Sequence, residues 1–169
     1  GWADTPQALA DATEVVISIV THAQALDDVY SSAQGLFSAR QPARLFIEMS
    51  TVPPAKQEAM AAQAKSAGMA YLECPVSGSI GPAKEGKLIG FVGGEAEVVN
   101  QVRTFLAQMC RKVVLVGAHG NGARMKLCVN LPLMVYWQTL GEALSLVRSL
   151  NIDPKELIDV LAESSGANP

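Results

Sequence analysis

Short runs of consecutive apolar, β-branched residues alternate with stretches of helical spacing, and this alternation most constrains what the chain can fold into. The runs are "EVVISIV" (14–20), "ARLFIEMS" (43–50), "MAYLECPV" (69–76), "KLIGFVGG" (87–94) and "KVVLVG" (112–117). They are too short for buried helices and too uniformly apolar for strands with one wet face, so they read as strands covered on both sides. Between them, "AQALDDVYSSAQGLF", "TVPPAKQEAMAAQAKSAG" and "EAEVVNQVRTFLAQMC" read as helices, the second ended by Gly68. "DTPQALAD" adds an N-capped helix at the start, with Pro6 near its first turn. Alternation of this kind predicts an open α/β layer, a partial Rossmann-like and mostly parallel sheet.

After Gly122 the pattern changes. One helical run extends from about Ala123 to Leu150, with Leu133, Trp137, Leu140, Leu144 and Val147 recurring at steps of three and four. Pro132 lies inside it and should kink or loosen it. "DPKELIDVLAESSG" (153–166) opens another helix, with Asp153 as cap and Pro154 as first residue. The expected division is a partial dinucleotide-binding domain over 1–118, a long connecting helix over 119–151, and the start of an all-α domain over 152–169.

Composition narrows the function classes. Apolar residues are 49% and charged residues 17%, which suits a globular protein with a substantial core. A net charge of −3 gives no electrostatic footprint for nucleic acid or anionic membrane, and 5% aromatic residues argue against a base-stacking platform. No run reaches the roughly 18–20 apolar residues of a membrane span, and the opening "GWADTPQALADATE" has no basic segment before an apolar one, so no signal peptide is expected there. Cys74, Cys110 and Cys128 show no CxxC spacing and read as reduced, mostly buried thiols of a cytoplasmic protein. No His–Cys–acid spacing suits a metal.

Three stretches are candidate sites. In "VGAHGNGARMKLCVN" (116–130), Gly122, Lys126 and Asn130 are spaced i, i+4, i+8 and share one helix face. A flat ligand could approach at the bare Gly122 and meet an amine and an amide. The same spacing also fits a surface lysine and a solvated amide. Gly120-Asn121-Gly122 is not a dinucleotide fingerprint: the third glycine position is Met125, the following helix is too long for a βαβ unit, and no strand-ending acid follows about 20 residues on. In "ECPVSGSIGPAKEGKL" (73–88), Ser77-Gly78-Ser79 ends a buried strand and offers consecutive N–H groups plus a hydroxyl to a carboxylate, although an ordinary turn would read the same way. In "EMSTVPP" (48–54), Ser50 and Thr51 end a strand where open α/β sheets bind ligands; taken alone, either is a helix cap. His22 and His119 read as solvated loop histidines and Glu142 as a solvated helix acid. Ser77 has neither a G-x-S-x-G elbow nor an obvious His/Asp pair, so the pattern argues against a hydrolase triad.

Taken together, these stretches resemble the β-hydroxyacid dehydrogenase family, which includes 3-hydroxyisobutyrate dehydrogenase and, more distantly, 6-phosphogluconate dehydrogenase. "MSTVPP" is similar to that family's D-x-S-T-x-x-P segment, "ECPVSGSIGPAKEGKLIGFVGG" to its D-A-P-V-S-G-G…G-x-L…V-G-G stretch, and "GAHGNGARMKLCVN" to G-x-x-G-x-G-x-x-x-K-x-x-x-N. The resemblance implies general acid/base chemistry at Lys126. It implies substrate carboxylate and hydroxyl binding by Ser77, Gly78, Ser79 and Asn130. It also implies NAD or NADP lying along Val20, Thr21 and Thr51 and approaching Gly122. Cys74, Ser79, Val129 and Thr21 depart from the family's usual residues and bear on substrate identity more than reaction class. The family's opening strand, GxGxxG turn and cofactor-selecting strand do not precede Gly1, nor does the rest of its all-α domain follow Pro169, so a longer enzyme is expected. The implied activity is hydride transfer between NAD(P) and a small 3-hydroxy acid, in a homo-oligomer with no nucleic-acid or membrane partner. A non-catalytic cofactor-binding or oligomerisation module is the alternative from another class. Imine reduction on the same architecture is a third, weakened by Lys126.

Overall fold

A computed structural model describes residues 1–40 and 45–164. The chain divides into two compact units, Gly1–Val129 and a second beginning at Asn130.

The first unit is built on a six-stranded sheet. Strands β1 (Val15–Ser18), β2 (Leu45–Glu48) and β3 (Ala70–Glu73) run parallel in that order, joined through helices α2 (Ala23–Ser31) and α3 (Pro54–Ser66). Helix α1 (Pro6–Ala12) precedes them, capped by the Thr5 hydroxyl, which accepts from the Ala8 N–H. The run "MAYLECPV" is divided at Cys74-Pro75 into β3 and β4 (Val76–Ser77). A short helix α4 (Ile80–Lys84), not anticipated from the sequence, then leads to β5 (Leu88–Gly93). β5 pairs antiparallel with the end of β3 and with β4 along one edge, and parallel with β6 (Cys110–Gly117) along the other. Helix α5 (Ala96–Leu106) joins β5 to β6. The sheet is mostly parallel, as expected; Ala43 and Arg44, placed in the second strand by sequence, lie outside the described residues.

The continuous apolar runs follow from burial on both faces. All four residues of β2 are buried. Phe46 enters a cluster with Leu26, Tyr30, Met60 and Tyr71, while Leu45 and Ile47 enter another with Leu72, Val92, Val99 and Leu106. Alternate side chains thus serve opposite layers. Tyr30 packs edge-on against Phe37, Phe46 and Tyr71 with ring centroids 5.1–6.1 Å apart, a geometry that adds to plain area burial. Helix α3 stops at a Schellman turn, in which the Gly68 and Met69 N–H groups donate back to the Lys65 and Ala64 carbonyls.

Helix α6 (Asn121–Leu146) begins in the first unit and continues into the second. Pro132 lies inside it without ending it. The second unit continues through a 3-10 turn (Arg148–Leu150) to α7 (Pro154–Glu163), where the Asp153 carboxylate accepts from the Lys155 N–H as the sequence predicts. Residues 165 and 166 of the sequence-predicted last helix lie outside the described residues.

Candidate active site

The carboxyl ends of β1, β2 and β3 carry Ser18, Glu48 and Glu73 at one level, paired in register across the sheet, and all three are buried. A buried carboxylate must be satisfied by hydrogen bonds or neighbouring charge. Each glutamate solves this differently.

Glu48 gathers the loops after β1 and β2. Ser18 donates its hydroxyl proton to Glu48 Oε2, the Ser50 N–H donates to Oε1 at 2.7 Å, and the Tyr30 hydroxyl lies 2.6 Å from Ser18 Oγ. Burial pushes the Glu48 carboxyl up from the ordinary range, and the bonds from Ser18, Ser50 and Tyr30 pull it back down. The Ser50 hydroxyl in turn accepts from the Val20 N–H at 2.6 Å. Reading Ser50 or Thr51 as a helix cap is therefore corrected. The cap position of α3 is Pro53, and the Ser50 side chain instead accepts from the Val20 N–H and bonds to Glu48. Above this network Thr21 and Thr51 are exposed.

Glu73 holds the start of α6. Its Oε1 accepts from the Gly122 N–H at 2.8 Å and its Oε2 from the Ala123 N–H at 3.1 Å. Burial raises the Glu73 pKa, opposed by the backbone N–H groups of Gly122, Ala123 and Gly120 and by His119. The first-turn N–H groups of a helix lack intrahelical partners and favour negative charge, so the carboxylate is stabilised where it lies. By spacing alone, the bare side of Gly122 is open to a flat ligand. The structure fills it from within: a Cβ there would stand 2.6 Å from the Phe91 carbonyl oxygen and 3.0 Å from Glu73 Cδ. The glycine is needed for this internal contact.

One turn beyond Gly122, Lys126 is half-buried. Burial lowers its pKa from the usual lysine value. Such a shift favours the neutral amine. Asn130 follows a turn later along α6 and belongs to the second unit. Ser77 lies on β4, half-buried and paired with Ile89. Gly78 has φ +141° and lies close to Leu88 and Pro82, a backbone that side-chain-bearing residues rarely adopt. Gly78 and Ser79 are exposed.

The remaining candidates have local roles. His22 caps α2, its Nδ1 accepting from the Ala25 N–H at 3.0 Å. His119 Nε2 lies 2.9 Å from the Tyr71 carbonyl oxygen and so donates to it. Glu142 is exposed and accepts from Gln138. All three cysteines are free thiols, Cys74 and Cys110 buried and Cys128 exposed. Among the described residues no cluster of His, Cys, Asp and Glu could hold a metal, and no helix is long and apolar enough to cross a membrane. Sequence reasoning missed Glu48 and Glu73. The available signal was "FIE" and "YLE", two adjacent apolar strands each ending on a glutamate.

Residues 1–117 match the family model described as the NAD binding domain of 6-phosphogluconate dehydrogenase. This chain is a member of the β-hydroxyacid dehydrogenase family. Across 98% of its length it is 34% identical to 3-hydroxyisobutyrate dehydrogenase of Pseudomonas aeruginosa, covering 56% of that protein. Among solved structures it is similar to Psf3 in complex with NADP+ and 2-OPP, with a TM-score of 0.88 and 29% identity over 98% of this chain and 58% of the other. It is also similar to Mycobacterium tuberculosis 3-hydroxyisobutyrate dehydrogenase with L-serine, with a TM-score of 0.75 and 32% identity over 95% of this chain and 54% of the other. The chain spans about half the length of the curated relatives it matches.

Proposed function

We propose that the protein carrying this chain is an NAD(P)-dependent oxidoreductase of a small 3-hydroxy acid, with Lys126 as general acid/base. The observation that carries this reading is a half-buried lysine, its pKa lowered by burial, on the second turn of a helix whose start is anchored by a buried carboxylate.

The nicotinamide, when bound, supplies the acceptor or donor of the hydride. The ends of β1 and β2 suit such a group, because Thr21 and Thr51 are exposed while Ser18, Glu48 and Ser50 beneath them are bonded to one another. The Val20 N–H is taken by Ser50, so Val20 would serve the cofactor by its position and not by that donor. In oxidation, Lys126 Nζ takes the proton of the substrate hydroxyl; in reduction it returns a proton to the carbonyl oxygen. An ordinary lysine, near pKa ~10.4, is too basic to do this well at neutral pH, and burial moves it in the required direction. Ser77, Gly78, Ser79 and Asn130 are assigned, from the motifs alone, to the substrate's carboxylate and hydroxyl.

General acid/base groups typically contribute about 10²–10⁴-fold. Lys126→Ala should lower turnover by that order while NAD(P)H fluorescence still reports cofactor binding. Near-normal turnover in Lys126→Ala would remove the lysine from the chemistry. A second reading, in which the chain serves assembly without turnover, draws on the exposed Leu131, Met134, Val135 and Trp137 of α6. Cofactor-independent fluorescence and silence across a panel of hydroxy acids would favour it.

A further inference from the structure

We infer that Glu73 is a positioning residue for Lys126, setting the rotation and depth of α6 against the sheet; this rests on the proposed acid/base role of Lys126. Three observations carry the inference. First, the carboxylate is fully buried and both its oxygens are engaged by adjacent N–H groups of one helical turn, Gly122 to Oε1 and Ala123 to Oε2. Two fixed points on successive residues define rotation about a helix axis as well as translation along it, which one hydrogen bond cannot do. Second, the cap is not local. Glu73 ends β3 and lies 49 residues before Gly122, so it ties the helix to the sheet and not to its own preceding loop. Third, Gly122 and Lys126 are four apart, on one face and about 6 Å apart along the axis. The helix face pressed against Glu73 is therefore the one that carries the amine a turn later.

Other tethers of this helix end are weaker. The Arg124–Glu58 ion pair joins α6 to α3, but both side chains are about half exposed, where such pairs contribute little. The Asn121 amide reaches the Val116 carbonyl at 3.3 Å, within its own strand-to-helix turn. Without the carboxylate clamp, α6 can twist or slide over a fraction of an ångström. Misplacing a catalytic group by about 1 Å costs up to about 10²-fold in rate.

The test is a double-mutant cycle in the intact protein, with 3-hydroxyisobutyrate and L-serine as probe substrates. Turnover is expressed per NAD(P)H-binding site, so that loss of folded protein does not count as loss of rate. Glu73→Gln, which keeps the volume but offers one acceptor oxygen, should lower kcat by about 10–100-fold and leave the NAD(P)H dissociation constant within about twofold. Glu73→Asp, which keeps the charge on a shorter arm, should recover part of that loss. In the Lys126→Ala background the same Glu73 change should have little further effect, because residues acting through one another are non-additive. If Lys126→Ala collapses turnover and Glu73→Gln multiplies that loss by its full single-mutant factor, the positioning role is wrong while the lysine's role stands. If Glu73→Gln leaves kcat unchanged, the positioning role is likewise wrong. If Lys126→Ala is itself near normal, the acid/base reading fails first. Should Glu73→Gln not accumulate as folded protein, Glu73→Asp carries the cycle with the same criteria.

Discussion

Replacing Gly122 with alanine tests the internal reason given for this glycine. The new Cβ would stand 2.6 Å from the Phe91 carbonyl oxygen and 3.0 Å from Glu73 Cδ. The carbonyl is backbone of β5 and cannot step aside as a side-chain end can. Overpacking of this kind costs about 1–3 kcal/mol. If the helix retreats instead, Glu73 loses N–H donors, and hydrogen bonds to a charged group contribute about 1.5–3 kcal/mol each. Alanine's better helix propensity returns about 1 kcal/mol. The net expectation is a loss of up to about 2 kcal/mol, which at a urea m-value of about 1–3 kcal/mol/M moves the unfolding midpoint down by up to about 1 M. Gly141 on the same helix is the control, since nothing stands within 4 Å of a Cβ there. Gly141→Ala should gain up to about 1 kcal/mol from the same propensity. Equal or higher stability of Gly122→Ala would refute the close-packing argument. Opposite signs at the two positions would support it.

Three further outcomes follow from the polar networks and the thiols. Ser50→Ala leaves the Val20 N–H without its acceptor, so the protein should lose about 1–3 kcal/mol of stability, with weaker NAD(P)H binding measured by fluorescence titration. The folded pKa of Glu48 is raised by burial, so folding takes up protons: stability from this group is full below the unfolded carboxyl pKa and falls as pH rises through the folded value. Glu48→Gln should flatten that fall, read as the pH dependence of the urea midpoint. Cys128 should react with a thiol reagent in the native protein, whereas Cys74, its thiol pushed up to about 12 by burial, should react only on unfolding.

Most of the sheet was legible because strands buried on both faces leave a local trace. Phe46 and Ile47 must both be apolar when each faces a different core layer. The long helix was legible from its apolar repeat at steps of three and four, although most of that face is exposed in this chain, and its start at Asn121 falls two residues from the expected Ala123. Helix α4 was missed because "IGPAK" carries glycine and proline inside five residues. The polar scaffold was less legible because its pairings are distant in sequence. Ser18 meets Glu48 across 30 residues, and Glu73 meets Gly122 across 49. Spacing rules find partners three or four residues apart; the strand-ending glutamates of "FIE" and "YLE" are visible locally, but their partners are not. Ser50 illustrates the cost: beside "TVPP" it reads as a cap, and only the returning β1 loop reveals that its hydroxyl serves Val20.

The join between β3 and β5 has a consequence for how the first unit comes apart. β1, β2 and β3 share full four-residue ladders, as β5 and β6 share a longer one, whereas β3 meets β5 at the single pair Glu73↔Gly93 and β4 adds only Val76↔Gly90 and Ser77↔Ile89 along the same edge. Amide protection should therefore be lowest along this join and higher in the two ladders that flank it, although one buried cluster, Leu45, Ile47, Leu72, Val92 and Leu106, packs across both. Residue 73 sits on the seam twice over: its backbone makes the rung to Gly93 while its carboxylate accepts from the first turn of α6, so a change at this one position should show as faster exchange both in the sheet and at the helix start.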